Sequence, residues 1–149
     1  MVALQAPAVV LHEPTVLAPL AVLVAYEAGF ALFRRVTPAA ASAGAVVGIA
    51  VMGPGHGGAY TALALPATAS RQILVPAALA LALAASRAPS RGLLASVGAA
   101  SLAVAVVHPT YAIFLWIPFA GFLAVRWAWR REDARSGAVA LGALVVPAG

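Results

Sequence analysis

The chain of 149 residues has no cysteine, no lysine and only four acidic residues. The missing cysteine excludes disulfides and thiolate metal sites. Charged residues make up 9% of the chain, where a soluble domain carries about a quarter. With 64% hydrophobic residues, too little polar surface remains to cover a water-soluble globule. The net charge of +5 comes from nine arginines against four acids. In a soluble protein such an excess would point to nucleic acid. Here the arginines stand in short gaps between apolar runs, so the expected partner is the lipid bilayer, and no nucleic acid. Residues 1–11 lack the positive leading region of a standard signal peptide. Heavy use of Ala, with Arg in place of Lys, suggests a GC-rich bacterial genome.

What the chain does have is a set of apolar runs arranged around one hairpin. Its corner is His108-Pro109-Thr110, its run is residues 111–125, and its end is Arg126, Arg130 and Arg131 with Trp127 and Trp129 between. A helix of about 20 apolar residues crosses a bilayer. Trp favours the headgroup region, and Arg beyond it marks the cytoplasmic side. The expected fold is therefore all-α: a polytopic helical membrane protein forming one transmembrane region over residues 1–149. The expected spans are 15–33, 38–53, 72–86, 92–107 and 111–125, with residues 136–149 starting a truncated sixth. Residues 1–14 are too short to span and read as the tail of something upstream. Together with the chain ending inside a span, this reads as a fragment of a larger membrane protein.

Between spans two and three, Gly53-Pro54-Gly55-His56-Gly57-Gly58 breaks the helix. Residues 59–70 follow and are too short to cross; they are expected to be interfacial or re-entrant. Gly44 and Gly48 have the spacing that lets helices approach closely in lipid, and so mark a candidate helix–helix contact. The alternative is a chance spacing in an Ala-rich helix.

The arginines set a topology. Arg34 and Arg35 follow span one; Arg87 and Arg91 separate spans three and four; Arg126, Arg130, Arg131 and Arg135 follow span five. Placing these gaps on the cytoplasmic side of a bacterial plasma membrane puts eight of the nine arginines there. His12, His56, His108, Glu13 and Arg71 then fall on the external side. Polar groups at membrane depth are costly and usually have a task.

Two readings stand at each candidate position. His108 is either a helix-stop corner facing water, or a hydrogen-bonding or general-base group. Arg71, in Ser70-Arg71-Gln72, either snorkels or clamps an anion. His12-Glu13 is either a solvated pair or an acid/base pair. Glu27 inside span one either faces the bundle interior or snorkels toward Arg34. Residues 53–58 form either a flexible turn or a loop at a ligand, and they are not a Walker loop. The histidine and acid spacings match no metal motif, so no metal is expected.

Residues 53–131 resemble the membrane part of bacterial polytopic glycosyltransferases of the GT-C type. The Gly-rich outer loop with Tyr60, Pro66 and Ser70-Arg71-Gln72, the Pro-containing helix, the Arg-flanked inner turn and the helix ending in His108-Pro109-Thr110 carry the likeness. The resemblance implies an outer-face site using a polyprenyl-phosphate-linked sugar, with no cofactor. It implies His108 and Glu13 as catalytic groups and Arg71 and His56 at the donor phosphate. The paired external acids of that family have no counterpart here. A transporter segment, with Glu27 and Pro118 along a pathway, and a protein whose helices only pack are the alternatives.

Overall fold

The computed structural model describes residues 6–52, 62–130 and 134–147. All regular structure among these residues is helical. Ala and Leu are strong helix formers, and in an apolar medium a helix satisfies its own backbone hydrogen bonds. The helices are α1 (Ala6–Phe33), α2 (Val36–Met52), α3 (Pro66–Ala85), α4 (Arg91–Val107), α5 (Pro109–Arg130) and α6 (Ala134–Val145). The chain divides into two compact units, Met1–Ile73 and Leu74–Gly149.

Among the described residues three stretches are long and apolar enough to cross a membrane: Glu13–Phe33 in α1, Pro66–Ala85, and Pro109–Trp129 in α5. The 17-residue helices α2 and α4 rise about 25 Å at 1.5 Å per residue, the short end of what a 30 Å hydrocarbon core requires. α6 has 12 residues and falls well below that length.

Element boundaries differ from the sequence expectation in two places. First, α1 begins at Ala6 and carries Pro14 and Pro19 within it, so the N-terminal stretch is part of the first helix. A proline removes one donor from the ladder, and a 28-residue helix retains enough others to continue through it. Second, residues 66–70 are not a separate short segment but the start of α3. This helix opens at Pro66, widens into a π turn over Ser70–Leu74, and resumes as an α-helix at Val75. Pro76 explains the turn. It has no N–H for the carbonyl four residues back, and its ring crowds that carbonyl, so the ladder loosens just ahead of it. The boundary between the two units falls inside this turn.

In the first unit, α1 and α2 form an antiparallel hairpin. Gly29 lies against Ala39 and Ser42, while Thr15 and Val22 share a cavity wall with Val47 and Val51 at the far end. The link is Arg34-Arg35. Arg34 takes a left-handed φ of 55°, and its N–H closes the helix onto the Phe30 carbonyl at 2.8 Å. Its guanidinium lies 5.1 Å from the centre of the Phe30 ring, which in turn stacks with Tyr26. Ala21, Ala25 and Gly29, one turn apart, make the buried face of α1. Ala21 packs with Leu63 and Ile73, flanked by Leu17, Ala18, Val24 and Val46.

Close approach in this hairpin occurs at Gly29 and not at the Gly44/Gly48 pair. A Cβ on Gly29 would lie 3.0 Å from the Ala39 Cα and 2.7 Å from the Ser42 Oγ. A Cβ on Gly44 or Gly48 would meet nothing within 4 Å among the described residues. The α1–α2 contact therefore does not use the Gly44/Gly48 pair.

In the second unit, the Val75–Ala85 part of α3 packs with α4, α5 and α6. Ala82 and Leu83, Val97 and Val104, Leu115 and Phe119, and Ala140 and Leu144 fill the interior. The buried positions of α5, Ala112, Leu115 and Phe119, recur at helical spacing. Ile113, Phe114, Ile117 and Val125 lie on its exposed side, as lipid-facing residues do. Ser101 joins three helices here. Its hydroxyl donates to the Leu144 carbonyl of α6 and accepts from Trp116 Nε1 of α5 at 3.1 Å. Leu144 is one of the terminal carbonyls that α6 cannot satisfy itself.

Candidate functional site

The polar groups available for chemistry divide between the units. Glu13, Glu27, Ser70, Arg71 and Gln72 belong to the first, and His108 with Tyr111 to the second. His56 lies outside the described residues, as does the side chain of His12.

The corner between α4 and α5 is built by Pro109. Proline cannot extend α4, but its fixed φ suits the first position of the next helix, and α5 starts there. His108 closes α4 through its N–H to the Val104 carbonyl at 2.8 Å, and its own carbonyl accepts from the Tyr111 N–H at 2.9 Å. The chain thus turns without leaving these backbone groups unbonded. The side chain is half-buried, with its ring centre 4.4 Å from that of Tyr111 and tilted by 44°. Nδ1 of His108 is enclosed and makes no hydrogen bond among the described residues. An enclosed, unbonded polar atom costs about 1–3 kcal/mol and calls for an explanation.

In the first unit the polar groups collect on the π turn. Ser70 is fully buried, and its Oγ makes no hydrogen bond among the described residues. Within the π turn Ser70 and Gln72 are buried while Arg71 between them is exposed. Gln72 lines a cavity of about 360 Å³ between α1 and α2, together with Thr15, Pro19, Val46, Val51 and Leu63. This is in the size range of small-molecule pockets, about 300–1,000 Å³, and its walls are almost wholly apolar. The sequence placed Ser70-Arg71-Gln72 at a helix start; the structure places it inside α3.

Glu13 is exposed near the start of the membrane-length part of α1. Glu27 is also exposed. It stands two residues from both Ala25 and Gly29, about 200° around the helix from that buried face. Within the first unit it therefore points away from α2. No cluster of His, Cys, Asp or Glu able to hold a metal occurs among the described residues.

Three buried hydroxyls were not singled out from the sequence: Thr68, Ser86 and Ser101. Ser86 donates to the Leu83 carbonyl at 2.9 Å and accepts from Arg126 Nη1 at 3.4 Å. Ser101 makes the three-helix junction described above. The usable signal was an isolated hydroxyl in an otherwise apolar helix, where it tends to bond across helices. No family model matches the chain, and neither characterised proteins nor solved structures include a match to it.

Proposed function

We propose that this chain is the membrane-embedded part of a glycosyltransferase of the GT-C type, acting at the outer face of a bacterial plasma membrane. The observation that carries the reading is His108, with its enclosed, unbonded Nδ1 beside Tyr111 at the α4–α5 corner. In this reading the anomeric carbon of a polyprenyl-phosphate-linked sugar is attacked by an acceptor hydroxyl. The new carbon–oxygen bond forms as the bond to the lipid phosphate breaks, and the phosphate leaves with the bonding electrons. His108 takes the hydroxyl proton or orients that hydroxyl. Arg71, exposed on the π turn, and His56 bind donor phosphate, and Glu13 supplies the external acid. The Arg-rich gaps face the cytoplasm, and His12, His56 and His108 face outward.

The test is sugar transfer from a polyprenyl-phosphate donor by the purified full-length protein. Arg is not replaceable by Lys where a phosphate is held bidentately. Arg71→Lys should therefore weaken donor use, and Arg71→Ala more so. His108→Ala should lower turnover more than donor binding. Wild-type rates for both Arg71→Lys and His108→Ala would exclude this face as the active site.

A transporter reading is favoured by a different observation. The π turn interrupts α3 partway along a membrane-length helix and encloses the unbonded Ser70 Oγ. Interrupted helices with polar groups at depth line transport pathways. Solute uptake into proteoliposomes without any sugar transfer would select it.

A further inference from the structure

The second unit holds a cavity that the reading above does not use. It measures about 220 Å³ and lies where α5, α6 and the end of α3 meet, lined by Ser86, Leu123, Arg126, Trp127, Ala134 and Gly137 among others. Three features combine there. Arg126 is half-buried and bonds Ser86, itself only 4% exposed, so the guanidinium is held at the wall by a buried hydroxyl. Ala134 and Gly137 belong to the first turn of α6, where backbone N–H groups and the helix dipole favour an anion. Trp127 is 61% exposed and Trp129 86% exposed, as aromatic residues at a membrane–water interface are.

We infer that this cavity binds the phosphate headgroup of an anionic phospholipid. Arginine presents its donors in a planar fork that matches phosphate geometry. The rest of the lining, including Leu123, Ala124, Ala138 and Leu141, is apolar. It is close in sequence to the exposed apolar residues Val125 and Val139 of the same two helices. A headgroup at Arg126 would thus sit on helices that carry exposed apolar residues for its acyl chains, which inorganic phosphate has no use for. The local sequence sets four arginines, Arg126, Arg130, Arg131 and Arg135, against Glu132 and Asp133, which leaves a positive balance. Basic pockets between membrane helices are suited to anionic headgroups in this way. This inference does not depend on glycosyl transfer.

The experiment uses the full chain in phosphatidylcholine nanodiscs doped with phosphatidylglycerol, with retained lipid counted by native mass spectrometry. Phosphatidylglycerol should be retained in preference to phosphatidylcholine. Arg126→Ala should weaken retention about five-fold, the equivalent of roughly 1 kcal/mol for one basic side chain at an anionic surface. Arg91→Ala, outside the cavity lining, should leave it unchanged. Ala138→Trp keeps Arg126 and fills the cavity, so it should also lower retention, and it covers the case in which Arg126→Ala does not fold. Equal retention of the two lipids by the wild type overturns the inference. So does undiminished retention in the folded cavity variants. Displacement of phosphatidylglycerol by equimolar inorganic phosphate would assign the site to a free anion and overturn the lipid.

Discussion

Replacing Gly29 by alanine tests the packing of the α1–α2 hairpin directly. The added Cβ would lie 3.0 Å from a backbone atom, the Ala39 Cα, whereas carbon atoms rest at about 3.5–4.0 Å. Restoring that spacing requires α2 to retreat by roughly 0.5–1 Å. The second neighbour, Ser42 Oγ at 2.7 Å, is tied to the Pro38 carbonyl by a 2.9 Å hydrogen bond, so rotating it away sacrifices that bond. Overpacking of this kind costs about 1–3 kcal/mol. Against it stands the intrinsic gain of Gly→Ala in a helix, about 1 kcal/mol. Gly29→Ala should therefore destabilise the hairpin by roughly 0–2 kcal/mol. Gly44→Ala meets nothing within 4 Å and keeps the gain, so it should be neutral to stabilising by up to about 1 kcal/mol. The two variants should differ by roughly 1–3 kcal/mol, a factor of at least about five in the unfolding equilibrium. Because the chain has no cysteine, Thr15→Cys and Val51→Cys give unique labelling sites at the open end of the hairpin. Energy transfer between them, followed during denaturation in mixed micelles, reports the equilibrium. If Gly29→Ala proves as stable as Gly44→Ala, the close approach at Gly29 is not what packs these helices.

Three other outcomes are expected. Ser101→Ala removes a bridge from both the Leu144 carbonyl and Trp116 Nε1, and should cost about 1–3 kcal/mol; adding Trp116→Phe should then cost little more, and full additivity in denaturation would argue against the shared junction. Arg34→Gly relieves a left-handed residue worth about 1–2 kcal/mol and loses a cation–π contact worth about 0.5–1 kcal/mol, so its unfolding midpoint should rise slightly while that of Arg34→Ala falls; a fall for both would refute the strain argument. Under the proposed topology, an impermeant thiol reagent applied to intact cells should label His108→Cys and not Arg87→Cys; labelling at position 87 would reverse the assignment.

The helical character of this chain was legible because it rests on local properties. Ala-, Leu- and Val-rich runs with few charges form helices in an apolar medium whatever they touch, and the Pro109 corner can be read from proline geometry alone. The reach of each helix was less legible. Pro14 looks like a boundary in sequence, yet α1 runs through it, and α3 starts at Pro66, ahead of the expected start at residue 72.

Of the candidate site, sequence reading picked out His108 and Ser70-Arg71-Gln72 as uncommon polar residues in apolar surroundings. Its placement of them could go no further than position along a helix. Which atoms are enclosed is decided by neighbours distant in the chain. Hence the enclosed Nδ1 of His108 and the burial of Ser70 and Gln72 appear only in the fold.

Composition and hydrophobic runs by themselves determined that this is a chain of apolar helices, since helix formation requires only bonds within each segment. Tertiary structure decided that Gly29 rather than Gly44 meets the neighbouring backbone, and that Ser86 holds Arg126 while Ser101 joins α4, α5 and α6. The reason is register. A helix offers several faces of similar composition, and only the packing of one against another selects the glycine that must stay bare and the hydroxyl that finds a partner.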